Sequence, residues 1–400
     1  MPKTILYIHH GKGLGGAPLS LLYLIQGLDK TRFKPIVLFL YDSEVIDLYK
    51  KHDIQTIGPL NIMDFSHTKI WWFRWYHAHF IARACRDTLK TIFFIAPKIL
   101  KQIKPDIVHL NTSSLIGWAI AAQRQKIPVI WHVREPLADG YFGIRKSLTR
   151  WGVARYANKI IPISNSDARP WHKNQKTQVI YNPVDPQRFN AAQFDKISQS
   201  ENSNQPAPTI LFLGGLSAEK GTLVILQAMK LLLKKMPNAR LHLAGTCELS
   251  QTSQYSPKYF FPAARYKRLV ADLLQELGPA VTLLGSIHNV PAAMAQSNVI
   301  VFPATVGHFA RPIIEAGFMK KPVVASKLAP LDELVVHEKT GFLVDTHDHA
   351  AWAKTLFLLL SNRELQESMG LEAYNFCSQR FGLELYATTI QNVYEQLTSQ

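Results

Sequence analysis

The stretch Val299 to Ser326, VIVFPATVGHFARPIIEAGFMKKPVVAS, decides the fold class. Its four leading apolar residues, Val299 to Phe302, predict a buried strand. A loop with a glycine follows, then a helix start with Pro312 in its first turn, where the missing N–H costs nothing. A second apolar strand, Pro322 to Ala325, comes soon after. Strand, loop, helix, strand is the repeating unit of a wound parallel sheet. The free amides at such a helix start, Ile313 included, make an anion cradle, and Arg311 just before it adds a fixed positive charge. Glu315, one turn in, would repel a phosphate held there directly. It reads either as an acceptor of sugar hydroxyl protons or as a first-turn acid that complements the helix dipole.

The same unit recurs outward from this stretch. Residues 4–8 predict a first strand, which feeds HHGKGLGGAP and a helix from about Leu19 to Leu28. Glycines 11, 13 and 16 fit the G-x-G-x-x-G dinucleotide pattern, and Asp42 ends the next strand, Ile36 to Tyr41. Further strands are expected at Asp106 to Asn111, at IPVIWHVREP ending near His132, and at Lys159 to Ile163. A histidine at the carboxyl end of a strand in a wound sheet lies where ligands bind. Arg134 and Glu135 follow it in the same loop. Between Asn190 and Pro208 the composition turns to Gln, Ser, Asn, Asp and Pro, which predicts a linker. A second series opens at Thr209 with TILFLGGLSAEKG, placing Lys220 at a helix entrance beside a Gly-Gly turn.

These segments, in this order, resemble glycosyltransferase family 4, retaining enzymes of the GT-B fold that use nucleotide-sugar donors. The run FARPIIEAGFMKKPVVAS is similar to the family's signature of a Glu, seven residues, a second Glu, a small-residue helix and an apolar strand. Glu315 falls on the second Glu, which in the family binds the nucleotide ribose; Gly307 stands where the first, a sugar-holding residue, would be. IPISNSDARPW and VIYNPVDPQRF resemble the closing segments of the family's N-terminal domain. Lys220 matches the lysine that neutralises the donor diphosphate, Gly215 stands in place of the family's arginine, and Ala329 and Pro330 replace a Gly-Gly pair. Gly15 and Gly16 match the glycine pair that faces the cleft, and His132 the histidine close to the donor sugar.

The resemblance implies an α/β, GT-B architecture: two Rossmann-like α/β/α domains facing across a cleft. Residues 1–189 would form the acceptor-side domain, 190–208 a linker, 209–381 the nucleotide-sugar domain, and 382–400 a helix crossing back to the first. His132, Lys220 and Arg311 are expected to be catalytic. Gly15, Gly16, Gly215, His308, Pro312, Ile313 and Glu315 are expected to bind the donor. Departure of a nucleoside diphosphate dominates the barrier, so charge developing on the leaving phosphates must be stabilised. Arg311 is expected to replace the arginine missing at position 215, and His308 to fill the space left at position 307. No Asp-x-Asp occurs in the chain, which fits a site without metal, and no cofactor beyond the nucleotide sugar is expected.

Bulk properties set the context. A chain of 400 residues with 47% hydrophobic and 18% charged residues is composed for two folded domains, not for disorder. MPKTILYIHH has no apolar leader pattern, no apolar run reaches bilayer length, and the three cysteines are far apart. A cytoplasmic protein with reduced thiols is expected. Residues 1–200 hold 28 Lys and Arg against 13 Asp and Glu, so most of the net charge of +16 lies in that half. Such a field suits an anionic partner: a membrane surface, a phosphorylated acceptor or a nucleic acid. In residues 69–104, Trp71, Trp72, Trp75 and Tyr76 alternate with basic residues, a pattern that fits an interfacial helix or a core helix packing its rings inward. The function expected is sugar transfer from a nucleotide sugar to a glycan or lipid-linked acceptor at the inner membrane face, with no nucleic acid partner. Two other readings stay open at this point: a membrane-associated, non-catalytic partner protein on a decayed transferase fold, and a nicotinamide-dependent oxidoreductase using the first-domain glycines.

Overall fold

In the computed structural model, which describes residues 1–11, 13, 15–64, 77–140, 142–194, 207–246 and 262–399, Val299–Phe302 is a strand with every side chain buried. It belongs to the second of two six-stranded parallel sheets. The first contains β1 (Lys3–His9), β2 (Phe33–Phe39), β3 (Gln55–Ile57), β4 (Ile107–Leu110), β5 (Val129–Val133) and β6 (Lys159–Pro162), in the order β3-β2-β1-β4-β5-β6. The second contains β7 (Thr209–Phe212), β8 (Arg240–Ala244), β9 (Val281–Gly285), β10 (Val299–Phe302), β11 (Val323–Ser326) and β12 (Gly341–Val344), in the order β12-β11-β10-β7-β8-β9. Each order is that of a doubly wound dinucleotide-type sheet, with its switch point between the first and fourth strands of the set. Helices cover both faces of the central strands, which bury nearly everything they carry: β5 reads VIWHV and is buried throughout.

The chain divides into two units, Met1–Pro183 with Phe381–Gln400, and Val184–Arg380. The chain passes from one unit to the other after Pro183 and back after Arg380. The closing helix Leu383–Thr398 is part of the first unit's core. Tyr386, Ile390, Val393 and Tyr394 pack there with Ile5, Tyr7, Leu21, Phe33 and Ile107, and the Tyr394 hydroxyl lies 2.9 Å from that of Tyr7.

Two element starts differ from expectation, each by the logic of capping. The first helix begins at Gly16, not Leu19: Gly15 is its extended N-cap, and Pro18 falls in the first turn, where proline is tolerated. Likewise Arg311 is the first residue of the helix Arg311–Phe318, with Ala310 as N-cap and Pro312 second. Trp71, Trp72, Trp75 and Tyr76 lie outside the described residues. In the rest of that stretch, the helix Ala78–Lys90, a π-helical turn Thr91–Ile95 and the helix Ala96–Ile103 bury Ala84, Ile92, Ala96 and Leu100 while Leu89, Phe93 and Phe94 remain exposed. No helix among the described residues is long and apolar enough to cross a membrane.

The docking of the closing helix is testable through Tyr394, which is fully buried. Tyr394→Ala should destabilise the first unit by about 3–5 kcal/mol, the scale for removing a large aromatic from a core. Tyr394→Phe, which loses only hydrogen bonds, should cost about 1–3 kcal/mol. Urea unfolding measures both, and a loss well under 1 kcal/mol in the alanine variant would remove this helix from the core.

Candidate active site

In the second unit, the polar residues gather beyond the carboxyl ends of β7 and β10, the two strands at the switch point. After β7 the chain turns at Gly214 and Gly215 and reaches Lys220 before entering the helix Thr222–Leu232. Thr222 locks this turn, its buried hydroxyl lying 2.8 Å from the Gly215 carbonyl. After β10, the segment 304–310 is tied to the same turn: the Thr305 amide donates to the Glu219 carbonyl at 2.9 Å, and the Thr305 hydroxyl to the Ala218 carbonyl at 2.9 Å. Lys220 and His308 therefore belong to one neighbourhood. The Lys220 side chain reaches solvent, yet neighbouring atoms strip enough water from its amine to lower its pKa, with Glu219 opposing. His308 is half-buried; burial lowers its pKa, as does the Lys220 charge, while its bond to the Val306 carbonyl opposes. Because Nδ1–H donates to that carbonyl at 2.8 Å, the neutral ring leaves Nε2 as a lone-pair acceptor.

The helix start beyond His308 is not the row of free amides that its sequence suggests. Pro312 has none, and the Ile313 amide donates back to the Ala310 carbonyl at 3.1 Å. What the helix presents instead is a buried ion pair: Arg311 Nε lies 2.7 Å from Glu315 Oε1. Burial raises the Glu315 pKa, opposed by Arg311 and by Arg188. Arg311 is therefore not a free charge, and one Glu315 oxygen is already engaged. Arg311 Nη1, however, is buried with no hydrogen-bond partner among the described residues. An orphan guanidinium N–H is costly unless a ligand oxygen completes it.

The first unit carries a second constellation at the ends of β1, β4 and β5. Arg134, buried, donates from Nε to Asn111 Oδ1 at 2.6 Å, from Nη1 to Asn182 Oδ1 at 2.5 Å, and from Nη2 to the Tyr386 hydroxyl at 3.2 Å. Nη2 also lies 3.4 Å from His132 Nδ1. A guanidinium only donates, so His132 Nδ1 is an acceptor and its proton sits on Nε2. The chain of tautomers then follows: His109 Nε2–H donates to His132 Nδ1 at 3.1 Å, and the Tyr394 hydroxyl, 2.8 Å away, donates to His109 Nδ1. By the same logic Asn111 Nδ2 donates to His9 Nδ1 at 3.0 Å, so His9 also carries its proton on Nε2. Both Nε2 groups are buried without a partner among the described residues. Burial, with Arg134 adding to it, holds all three imidazoles neutral, well below the usual histidine pKa. Of this network the sequence marks His132 and Arg134; Glu135, in the same loop, instead accepts from the Thr112 hydroxyl. His9 and His109 share the signal that marked His132, a histidine at a strand end. Tyr386 and Tyr394 gave none, because they arrive from the far end of the chain.

Two family models match between them most of the chain: Glycosyltransferase Family 4 over residues 14–188, and Glycosyl transferases group 1 over residues 193–376. The chain belongs to glycosyltransferase family 4. A D-inositol 3-phosphate glycosyltransferase of Pseudarthrobacter chlorophenolicus is 30% identical over 166 residues, 41% of this chain and 37% of that protein. The match thus spans well under half of that relative's length. An uncharacterized glycosyltransferase of Haemophilus influenzae is 23% identical over 304 residues, 74% of this chain and 79% of that one. Among solved structures, Anabaena HepE in complex with UDP-glucose superposes with a TM-score of 0.75 at 20% identity, covering 98% of this chain and 99% of that one. That likeness agrees with the paired wound sheets of a GT-B fold.

For a family 4 glycosyltransferase, two departures have a steric explanation. Gly215 has φ of +60°, and a Cβ there would lie 2.6 Å from the Thr246 carbonyl oxygen and 2.8 Å from its nitrogen. The turn accommodates no side chain, so the family's arginine has no place at this position. At Gly307 a Cβ would meet the Ala329 carbonyl oxygen at 2.0 Å. The Ala329 backbone occupies the space that a side chain at 307 would need, so the family's first carboxylate has no room there. Gly15 and Gly16, which cap and open the first helix, have nothing within 4 Å of an added Cβ.

The buried imidazoles make stability depend on pH. Unfolded, each histidine binds a proton below about pH 6.5; folded, each stays neutral. Stability is therefore full above that pH and declines as pH falls below it. Three such groups give a slope approaching about 4 kcal/mol per pH unit. Urea unfolding from about pH 7.5 to about pH 5.5 should show this decline, with His109→Gln flattening it by about a third. A flat profile would contradict the neutral network.

Proposed function

We propose that this protein transfers a hexose from a nucleotide-sugar donor, with retention at the anomeric carbon, to a glycan or lipid-linked acceptor at the cytoplasmic face of the membrane, in the synthesis of a cell-surface polysaccharide or glycolipid. The observation that carries the reading is the unpartnered, buried Nη1 of Arg311, beside Glu315 and within the same unit as Lys220 and His308. In this reading Arg311 Nη1–H and the Lys220 ammonium meet the donor diphosphate and stabilise charge as it departs. Glu315 holds Arg311 in place with one oxygen and accepts a ribose hydroxyl with the other. His308 Nε2 accepts a hydroxyl of the donor sugar, taking over from the carboxylate that Ala329 excludes from position 307. The acceptor hydroxyl attacks C1 on the face the diphosphate leaves; as the C1–O bond to the diphosphate breaks, the departing phosphate oxygen takes the acceptor's proton, so no enzyme nucleophile is needed. In the first unit, His132 Nε2–H is a neutral hydrogen-bond donor open to a ligand oxygen. The HepE complex with UDP-glucose supports the choice of donor class, and the basic first half of the chain supports an anionic membrane.

A non-catalytic reading draws on the same steric facts, since Gly215 and Gly307 cannot carry the family's side chains. Turnover separates the two. A panel of nucleotide sugars screened by thermal shift should contain a ligand that stabilises by about 2.7 kcal/mol at 100 times its dissociation constant, and that ligand should be transferred or hydrolysed. Arg311→Ala should then lower kcat/KM by about 100-fold or more, as loss of one preorganised charge-stabilising donor does. Near wild-type turnover in this variant would remove Arg311 from the reaction. No turnover of any common nucleotide sugar, with lipid acceptors supplied, would favour the non-catalytic reading.

A further inference from the structure

The helix Ile144–Tyr156 is built inside out. Its inner face carries Gly152, Val153 and the buried Arg145; Gly152 is where the Ile116 side chain presses in, 2.7 Å from the place of an added Cβ. Its outer face carries Ile144, Leu148 and Trp151, which are 60%, 59% and 57% exposed. Spaced i, i+4, i+7, they form one apolar stripe along the helix, and Phe142 just before it is wholly exposed. An ordinary surface helix does the reverse. The stripe is flanked by Lys146, Arg150 and Arg155. Beside Trp151 opens a groove of about 910 Å³ whose cations are Arg150, Arg169, Lys173 and Lys176, with no carboxylate in its lining. The groove belongs to the first unit and shares no lining residue with the histidine network.

From this pairing of an apolar stripe with an acid-free cationic groove, we propose that the helix Ile144–Tyr156 seats the first unit on an anionic phospholipid bilayer. Ile144, Leu148 and Trp151 enter the boundary between headgroups and acyl chains, and the groove takes a lipid phosphate. The chemistry singles out this occupant. A soluble phosphate would use the groove but leave the stripe in water, and a neutral apolar partner would use the stripe but leave four cations uncompensated. Only a surface that is apolar below and anionic above satisfies both. The long basic side chains suit it further, since their stems lie along apolar surface while their heads reach the phosphates. Leu89, Phe93 and Phe94, exposed on the segment that packs against the other side of the helix Ile116–Arg124, give the same unit a second apolar ridge. This inference rests on the proposed membrane location but on neither the donor nor the transfer chemistry.

The test is co-sedimentation of the full chain with vesicles of phosphatidylcholine alone and mixed with phosphatidylglycerol. The wild-type protein should partition onto the mixed vesicles, less so as salt is raised. Ile144→Ser/Leu148→Ser/Trp151→Ser should weaken that partition at least about 10-fold, and Arg150→Glu/Lys173→Glu should abolish its dependence on phosphatidylglycerol. These side chains are exposed, so both variants should keep the wild-type melting temperature and rate of donor hydrolysis. Wild-type partition in the triple variant would overturn the proposal, as would binding indifferent to phosphatidylglycerol. Self-association that the triple variant loses, without vesicle binding, would overturn it in favour of a second copy of the chain. Absence of donor turnover alongside intact vesicle binding would count against the transfer reading and leave this one standing.

Discussion

The central strands of both parallel sheets are buried on both faces, and that constraint arranges the rest of the molecule. Strand interiors must be almost wholly apolar, so chemistry is expelled to the strand ends and the loops beyond them. His9, His109, Asn111 and His132 stand at the ends of β1, β4 and β5; Gly215, Lys220 and His308 follow β7 and β10. Polar groups that remain buried at these ends must then satisfy one another. The Arg134 network does so except at two donors without partners among the described residues, His9 Nε2 and His132 Nε2; in the other unit, Arg311 Nη1 is likewise buried and unpartnered. Where such an orphaned donor lies at a strand end or beside a ligand-binding loop, it marks a place for a ligand oxygen.

The Arg311–Glu315 pair shows how the same residues change meaning once their geometry is known. Read singly, one is a cation for phosphate and the other a carboxylate for hydroxyls. Paired at 2.7 Å and largely buried, they form a nearly neutral unit that aims one guanidinium N–H. Neutrality suits a proposed site that must release a dianionic leaving group, because a bare buried cation would hold the product. The i, i+4 spacing was a visible signal for the pair.

Fold class was legible because wound parallel sheets leave a coarse imprint: short apolar strands, glycine turns and amphipathic helices in strict alternation. Helix starts at Gly16 and Arg311 were less so, since a proline in the first turn fits several registers. The departures at positions 215, 307 and 329–330 were visible as absences, but the steric cause at 215 and 307 was not. That Ala329 fills the space at Gly307 is a contact between residues 22 positions apart, beyond any local pattern. The same holds for Tyr386 and Tyr394, which complete the histidine network from the opposite end of the chain. The helix Ile144–Tyr156 escaped notice for another reason. A stripe of Ile, Leu and Trp ordinarily predicts the buried face, and here the small residues Gly152 and Val153 take that role.

A crystal structure of the protein soaked with a nucleotide sugar that it turns over tests the central claim most directly. The account places the diphosphate within hydrogen-bond distance of Arg311 Nη1 and the Lys220 amine, with a hydroxyl of the hexose on His308 Nε2. A diphosphate seated instead on the glycine loop of the first unit, at residues 11–16, would contradict it.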